Sequence, residues 1–360
     1  MERAKNIETL SLCFTAGVAA GTAVGPMVGS AAPALLLPLV ALPVLLRERL
    51  LRLGDKPAVG IILGLFLLLG VFCALNAAIP VAGTENRLTS LAAGAAESLR
   101  AFIGSLPFPS EGTAPLLQAL LTGDRSGLAP QTIAAFRGSG ASHILALSGL
   151  HMGMLYIIFD SLTKPLGRSR PAQIIRFVLV LGGAGFFTLM TGAGPSIVRA
   201  FLFIALNETL RLLNRPRKAT RVFCVALLIQ LVLDPSVISS LGFQLSYLAM
   251  AGIFLLYPML EKFYPEGSYY NPLRWIWKAA AMSISCQVFT APLVWFRFHT
   301  FPKWFLLTNL LAVPLTTLTV WSAVIVLTFA AAGICPQILL DVTDALCRLL
   351  TGVLEIIASM

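Results

Sequence analysis

Charged side chains are scarce in this sequence. Only 12% of its 360 residues are Asp, Glu, Lys or Arg, about half of the roughly 25% usual in a soluble globular domain. Histidine occurs three times. The six cysteines (Cys13, Cys73, Cys224, Cys286, Cys335 and Cys347) are all far apart. No CxxC pair or Cys/His spacing suits a zinc site or a disulfide framework, so the cysteines read as small apolar packing residues. A glycine-rich phosphate loop and a dinucleotide fingerprint are both missing, which leaves no evident nucleotide-driven engine. No HxHxDH metal motif occurs either. These absences argue against an ordinary soluble enzyme, a disulfide-stapled domain and an ATP-driven pump, and no cofactor or metal is expected.

What the sequence has instead is apolar length. Hydrophobic residues make up 57% of it, and several runs reach the roughly 18–20 residues that a bilayer demands. The expected fold class is all-α: a polytopic integral membrane protein with about ten or eleven transmembrane or re-entrant helices. The expected spans are 7–28, 30–46, 57–80, 141–159, 172–191, 195–213, 222–233, 241–260, 274–296 and 303–331. The last contains Asn309 and Pro314 and is long for one straight helix, so a broken or partly re-entrant element is expected there. Stretch 336–358 is interrupted by Asp341, Asp344, Arg348 and Glu355, which leaves its spanning open.

The formal net charge is +10. Most of it is explained by Lys and Arg gathering in cytoplasmic loops. Those loops are Arg47/Arg49/Arg52/Lys56, Lys164/Arg168/Arg170 and Arg211/Arg215/Arg217/Lys218/Arg221. This alternation puts the N-terminus in the cytoplasm, as an uncleaved anchor of the cytoplasmic (inner) membrane, and residue 81 outside. The organisation expected is N-terminal transmembrane helices over 1–80, an external amphipathic helix and helical hairpin over 81–138, and a transmembrane core over 139–360. Within 84–106 the apolar positions Leu88, Leu91, Ala92, Ala95, Leu99, Phe102, Ile103 and Leu106 repeat with the helical period, and charged residues take the other face. Two short helices, 114–122 and 130–137, form the hairpin. Gly123 suits the position after the first, and Pro130 the first turn of the second.

Polar and ionisable groups are spaced through Leu116 to Phe159, where Asp124, Arg125, Arg137, His143, Ser148 and His151 lie among Gly138, Gly140, Gly149 and Gly153. Costly polar groups kept with flexible glycines in a membrane segment point to a water-filled path or site. Gly123 through Leu128 reads GDRSGL, Phe136 through Gly140 reads FRGSG, and His143 through His151 reads HILALSGLH. In this order the three motifs resemble the signature of the ComEC family of competence proteins, which pass DNA across the cytoplasmic membrane. PSIVRAF (195–201), DPSVISSLGFQLSYLAMAG (234–252) and APLVWFRFHTFPKWFLLTNLLAVPL (291–315) extend the resemblance.

The resemblance implies passage of single-stranded DNA into the cytoplasm during natural transformation, by a channel rather than an enzyme. It implies partners besides DNA and membrane lipid: a separate nuclease, and a DNA receptor or cytoplasmic motor. Relatives carry an OB-like domain where this sequence offers only about 30 residues, too few for a five-stranded barrel. The metallo-β-lactamase-like motif of many relatives does not occur, so its proposed nuclease activity is not carried over.

The candidate path residues are Asp124, Arg125, Arg137, His143, Ser148, His151, Arg199, Gln244, Tyr247, Arg297 and His299. A strand needs cations for its phosphates and aromatic faces for its bases; Phe298 and Trp304 add to the latter. Each residue also has a plainer reading. His143 and His151, eight residues apart and about 80° around an ideal helix, suit interhelical hydrogen bonding as well as substrate contact, with metal binding a third reading. Ser148 beside His151 looks like a nucleophile next to a base, and also like a close-packed Ser-Gly pair. Asp124 and Arg125 suit a local ion pair. Arg199, costing about 2.5–3.5 kcal/mol inside a span, must face protein, water or an anion. Glu208 lies on the opposite face of the same helix and cannot be its partner there. The competing classes are a membrane-embedded hydrolase using Ser148 and His151, and a small-solute transporter.

Overall fold

The computed structural model describes residues 7–24, 55–77, 87–167, 169–264, 272–299 and 301–360. The expected span 30–46, Arg47, Arg49, Arg52 and Arg168 lie outside the described residues. The protein is an all-helical polytopic membrane protein, with no strand among the described residues. Its helices are α1 (Ile7–Val24), α2 (Asp55–Ala77), α3 (Arg87–Ser105), α4 (Thr113–Thr122), α5 (Pro130–Gly138), α6 (Ser142–Leu145), α7 (Gly149–Thr163) and α8 (Arg170–Met190). They continue as α9 (Pro195–Leu212), α10 (Ala219–Leu233), α11 (Leu241–Leu255), α12 (Tyr257–Glu261), α13 (Pro272–Phe298), α14 (Phe305–Ala331) and α15 (Gln337–Ala358). Among the described residues, α1, α8, α13 and α14 are long and apolar enough to cross a membrane.

Several expected spans take a different form. The run 141–159 is two helices, α6 and α7, parted at Ala146–Ser148. The run 241–260 breaks at Leu256, just before Pro258, which cannot donate a backbone hydrogen bond. Conversely, the element expected to be broken at 303–331 is the unbroken α14, with Pro314 inside it. Membrane helices tolerate proline where neighbours re-satisfy the freed backbone groups. Asp341, Asp344, Arg348 and Glu355 likewise do not interrupt α15.

The chain divides into two compact units. The first comprises 1–85, 159–182 and 198–244. Here α1 and α2 meet through glycine: a Cβ on Gly17 would lie 2.0 Å from the Leu67 carbonyl oxygen, and one on Gly70 2.2 Å from that of Phe14. Lipid gives no hydrophobic reason for two helices to associate, so contact depends on backbones approaching closely over small residues. The same unit holds an ionic cluster. Arg176 pairs with Asp160 and places its Nε 3.3 Å from Glu208 Oε2. Arg211 reaches Asp160 at 3.4 Å and Glu208 at 3.5 Å. Glu208, which cannot pair with Arg199 along their helix, is thus engaged by α8 and by its own last turn.

The second unit comprises 86–158, 183–197 and 245–360. Its core gathers Ile103 of α3, Leu116 and Leu120 of α4, Phe136 of α5, and Leu350 and Leu354 of α15. The buried residues of α15 (Leu340, Thr343, Asp344, Cys347, Leu350, Leu354 and Ile357) recur every three or four positions, one face of a helix. Helix α3 buries Ala92, Ala96 and Ile103, while Leu88 and Leu91 of the same apolar period are exposed in its first turns. Asp344 locks the hairpin to α15. Its carboxylate accepts from the Ser110 N–H at 3.1 Å, the Ser110 hydroxyl at 2.9 Å and the Thr113 hydroxyl at 2.5 Å, with Arg348 Nε at 3.0 Å.

Candidate functional site

The turn between α4 and α5 presents the first polar group. Gly123 ends α4 with φ 82°, a left-handed conformation that a side chain would disfavour, and its N–H bonds the Ala119 carbonyl. The turn delivers Asp124, whose Oδ2 accepts from Arg100 of α3 at 2.9 Å and whose Oδ1 accepts from the Ser126 N–H at 3.0 Å. The Ser126 hydrogen bonds, and after them Arg100, hold the Asp124 carboxyl below its usual range against partial burial. Asp124 therefore pairs with Arg100, 24 residues earlier, rather than with its neighbour. Arg125 and Arg137, the latter in the last turn of α5, are exposed.

The next motif, Phe136 to Gly140, is a docking element. Phe136 fills the core, and the Ser139 carbonyl accepts from the Thr308 hydroxyl of α14 at 2.8 Å. Gly140 adopts φ 80°, and a Cβ there would sit 2.5 Å from Pro302 Cβ. Backbone conformation and space both require glycine. His143 is exposed, its Nδ1 3.2 Å from the Gly140 carbonyl oxygen. A carbonyl can only accept, so that nitrogen carries the proton.

At the break, Ser148 and His151 cap α7 together. Ser148 Oγ accepts from the Leu150 N–H at 3.3 Å, while His151 Nδ1 accepts from the Ser148 N–H at 3.3 Å. This is a capping box with histidine in the place usually held by Glu or Gln. It fixes the proton on His151 Nε2. The imidazole is buried, at 5% exposure, and Nε2 has no hydrogen-bond partner among the described residues. A cavity of about 130 Å³ lies beside it, lined by His143, Ile144, Ser148, Leu150, His151, Val313 and Thr316.

This arrangement bears on the competing chemistries. The ring nitrogen of His151 that could act as a base is committed to the Ser148 backbone, so the geometry gives no support to a serine nucleophile. A protonated Nε2 cannot ligate a metal, and no group of three His, Cys, Asp or Glu side chains gathers among the described residues.

The remaining sequence candidates are not among the residues that line this cavity. Arg297 ends α13 and is exposed, as is His299, which has φ 51°. Tyr247 is buried. In the other compact unit, the Arg199 guanidinium lies 6.0 Å from the Phe203 ring centroid, and Gln244 donates to the Ile238 carbonyl at 2.7 Å. Sequence reasoning missed Val313, which lies inside the 291–315 motif but was not singled out, Thr316 just beyond it, and Arg100, the partner of Asp124. It also missed the Ser148-x-x-His151 box, a signal that was visible once histidine is allowed at its third helical position.

Comparison with known proteins places the chain. No solved structure matches it. It is 28% identical over 203 residues to ComE operon protein 3 of Bacillus subtilis, covering 56% of this chain and 24% of that one. It is 30% identical over 174 residues to Competence protein ComA of Neisseria gonorrhoeae, covering 47% and 25%. It is 26% identical over 207 residues to Recombination protein 2 of Haemophilus influenzae, covering 56% and 26%. The match thus spans about a quarter of each relative's length. The family model described as Competence protein matches residues 120–360, which takes in the hairpin turn, the docking motif, the capped break and all the helices that follow. On that match, which covers well over half of the sequence, the chain belongs to the competence protein family.

Proposed function

We propose that this chain serves DNA uptake in competence as part of the membrane path by which single-stranded DNA enters the cytoplasm. The observation that carries this reading is that the family match, from residue 120 on, takes in the stretch where Asp124, Arg125, Arg137, His143, Ser148 and His151 are spaced along a largely apolar run. Phosphate is recognised by exposed guanidinium groups, and Arg125, Arg137 and Arg297 are exposed on the unit that holds the hairpin and the capped break. Bases stack on aromatic faces, and Phe298 and Trp304 are exposed on the same unit. Tyr247, being buried, is unsuited to that role. The chain acts here as a conduit and not as an enzyme, and a separate nuclease and force-supplying proteins complete the process. Its place is the cytoplasmic membrane, with the N-terminus inside and the hairpin outside.

The test is transformation frequency in a deletion strain complemented with Arg125→Gln, Arg137→Gln or Arg297→Gln, measured beside membrane abundance. Uptake should fall at unchanged abundance, and each Arg→Lys variant should retain part of it, since lysine keeps the charge but loses the bidentate contact. Unchanged uptake in all three Gln variants would contradict the reading.

A further inference from the structure

We propose that the cavity beside the α6–α7 break is a built hydration site, whose ligand is water bridging His151 to His143 and Thr316. Three observations converge. The first is a buried donor: with Nδ1 committed to the Ser148 N–H, His151 presents Nε2–H without a partner among the described residues. Leaving such a group unsatisfied carries its full desolvation penalty, which a ligand able to accept a hydrogen bond offsets.

The second is the chemistry of the lining. His143 Nδ1 faces the Gly140 carbonyl at 3.2 Å, which leaves its Nε2 as an acceptor in the neutral ring. The Thr316 hydroxyl donates to the Ala312 carbonyl at 2.7 Å and keeps its lone pairs. Ser148 Oγ accepts from Leu150 and keeps its own proton to donate. The lining therefore offers two donors, His151 and Ser148, and two acceptors, His143 and Thr316. Water, which donates two hydrogen bonds and accepts two, matches this set. No Lys, Arg, Asp or Glu lines the cavity, so an anion such as phosphate, or a metal cation, would sit there without a counter-charge, at high cost.

The third is size and setting. The space is about 130 Å³, whereas one water needs roughly 10–15 Å³ by this measure and ligand pockets for larger molecules run to about 300–1,000 Å³. The non-helical residues Ala146–Ser148 interrupt an apolar run long enough to span a bilayer. At membrane depth, such backbone persists where protein or a water-filled cavity satisfies it.

The site stands on this geometry alone, independent of what the chain transports. The test is nuclear magnetic resonance of the full chain in lipid nanodiscs, with histidine labelled by nitrogen-15. The chain has only three histidines, so His151→Gln and His299→Gln complete the assignment. The expected spectrum shows His151 neutral with its proton on Nε2, and a magnetisation-transfer peak from that proton to water. Thr316→Val, which removes an acceptor at nearly constant volume, should speed exchange of the proton with bulk solvent several-fold. Val313→Phe, which fills the cavity, should abolish the water peak while the tautomer persists; if that variant does not fold, Thr316→Val carries the test. A His151 proton on Nδ1, or an Nε2–H with transfer only to aliphatic protons, overturns the proposal. Neither result would alter the transformation assay, so the two claims fail separately.

Discussion

Ser148 and His151 cap one helix between them: His151 Nδ1 takes the Ser148 N–H at 3.3 Å, and Ser148 Oγ takes the Leu150 N–H at 3.3 Å. The pair that looks like nucleophile and base in the sequence is a helix start. Ser148→Ala should therefore lower stability by about 1 kcal/mol, the usual loss on removing a cap, and Ser148→Asp should restore most of it. Thermal unfolding in detergent checks both. Covalent labelling of Ser148 by a serine-directed acylating probe would instead favour a hydrolase.

The Arg176–Glu208 pair should behave as a buried unit. Glu208 is 2% exposed and shares its carboxylate between Arg176 and Arg211. Removing Arg176 leaves Glu208 with Arg211, and removing Glu208 leaves Arg176 with Asp160, so each loss should stay below the about 3–5 kcal/mol of a fully unpaired buried charge. Glu208→Ala and Arg176→Ala should each deplete folded protein, and the double variant should lose clearly less than the sum of the two. Additive losses in a double-mutant cycle would show that the pair does not interact.

Asp344 should matter more for the hairpin than for α15 itself. It accepts three hydrogen bonds from Ser110 and Thr113, each worth about 1.5–3 kcal/mol to a charged acceptor. Asp344→Ala should expose the segment before α4 to proteolysis while α15 stays helical. Unchanged cleavage near Ser110 would refute the lock.

The Ser126 hydrogen bonds to Asp124, and after them the Arg100 contact, predict a pH dependence. The Asp124 carboxyl is held below its usual range, so its contribution is fully present above the unfolded value, about 3.9, and is lost as pH falls through the lower folded value. Asp124→Asn should therefore destabilise the protein at neutral pH, and the difference from wild type should shrink as the pH drops from about 5 through 3. A difference that grows in acid would reverse the sign of this argument.

These contacts mark where the sequence was legible. Helix type and the facing ends of α4 and α5 follow from local signals that act within one or two turns: a 3.6-residue apolar period, Gly123 after α4 and Pro130 at the start of α5. The break at Ala146–Ser148 was hidden because hydropathy sums over the window and does not register a cap inside an apolar run. Pro314 misled in the opposite direction, since a proline in lipid does not by itself divide a helix. Unlike Arg211 and Arg348, at helical spacing from Glu208 and Asp344, the long-range partners of Asp124, Glu208 and Asp344 were out of reach for another reason. They lie 24, 32 and 231 residues away in sequence, and nothing in local spacing pairs one carboxylate with one distant guanidinium or hydroxyl.

The central claim is that this chain passes single-stranded DNA across a membrane through a path with exposed arginines. The most direct measurement is entry of fluorescently labelled single-stranded DNA into proteoliposomes that contain the purified full chain, read as label protected from added nuclease. The account predicts protein-dependent entry that weakens with rising salt, as phosphate contacts do, and that falls in Arg125→Gln. Protein inserted at normal density that admits no more label than empty liposomes, at any salt concentration, would contradict it.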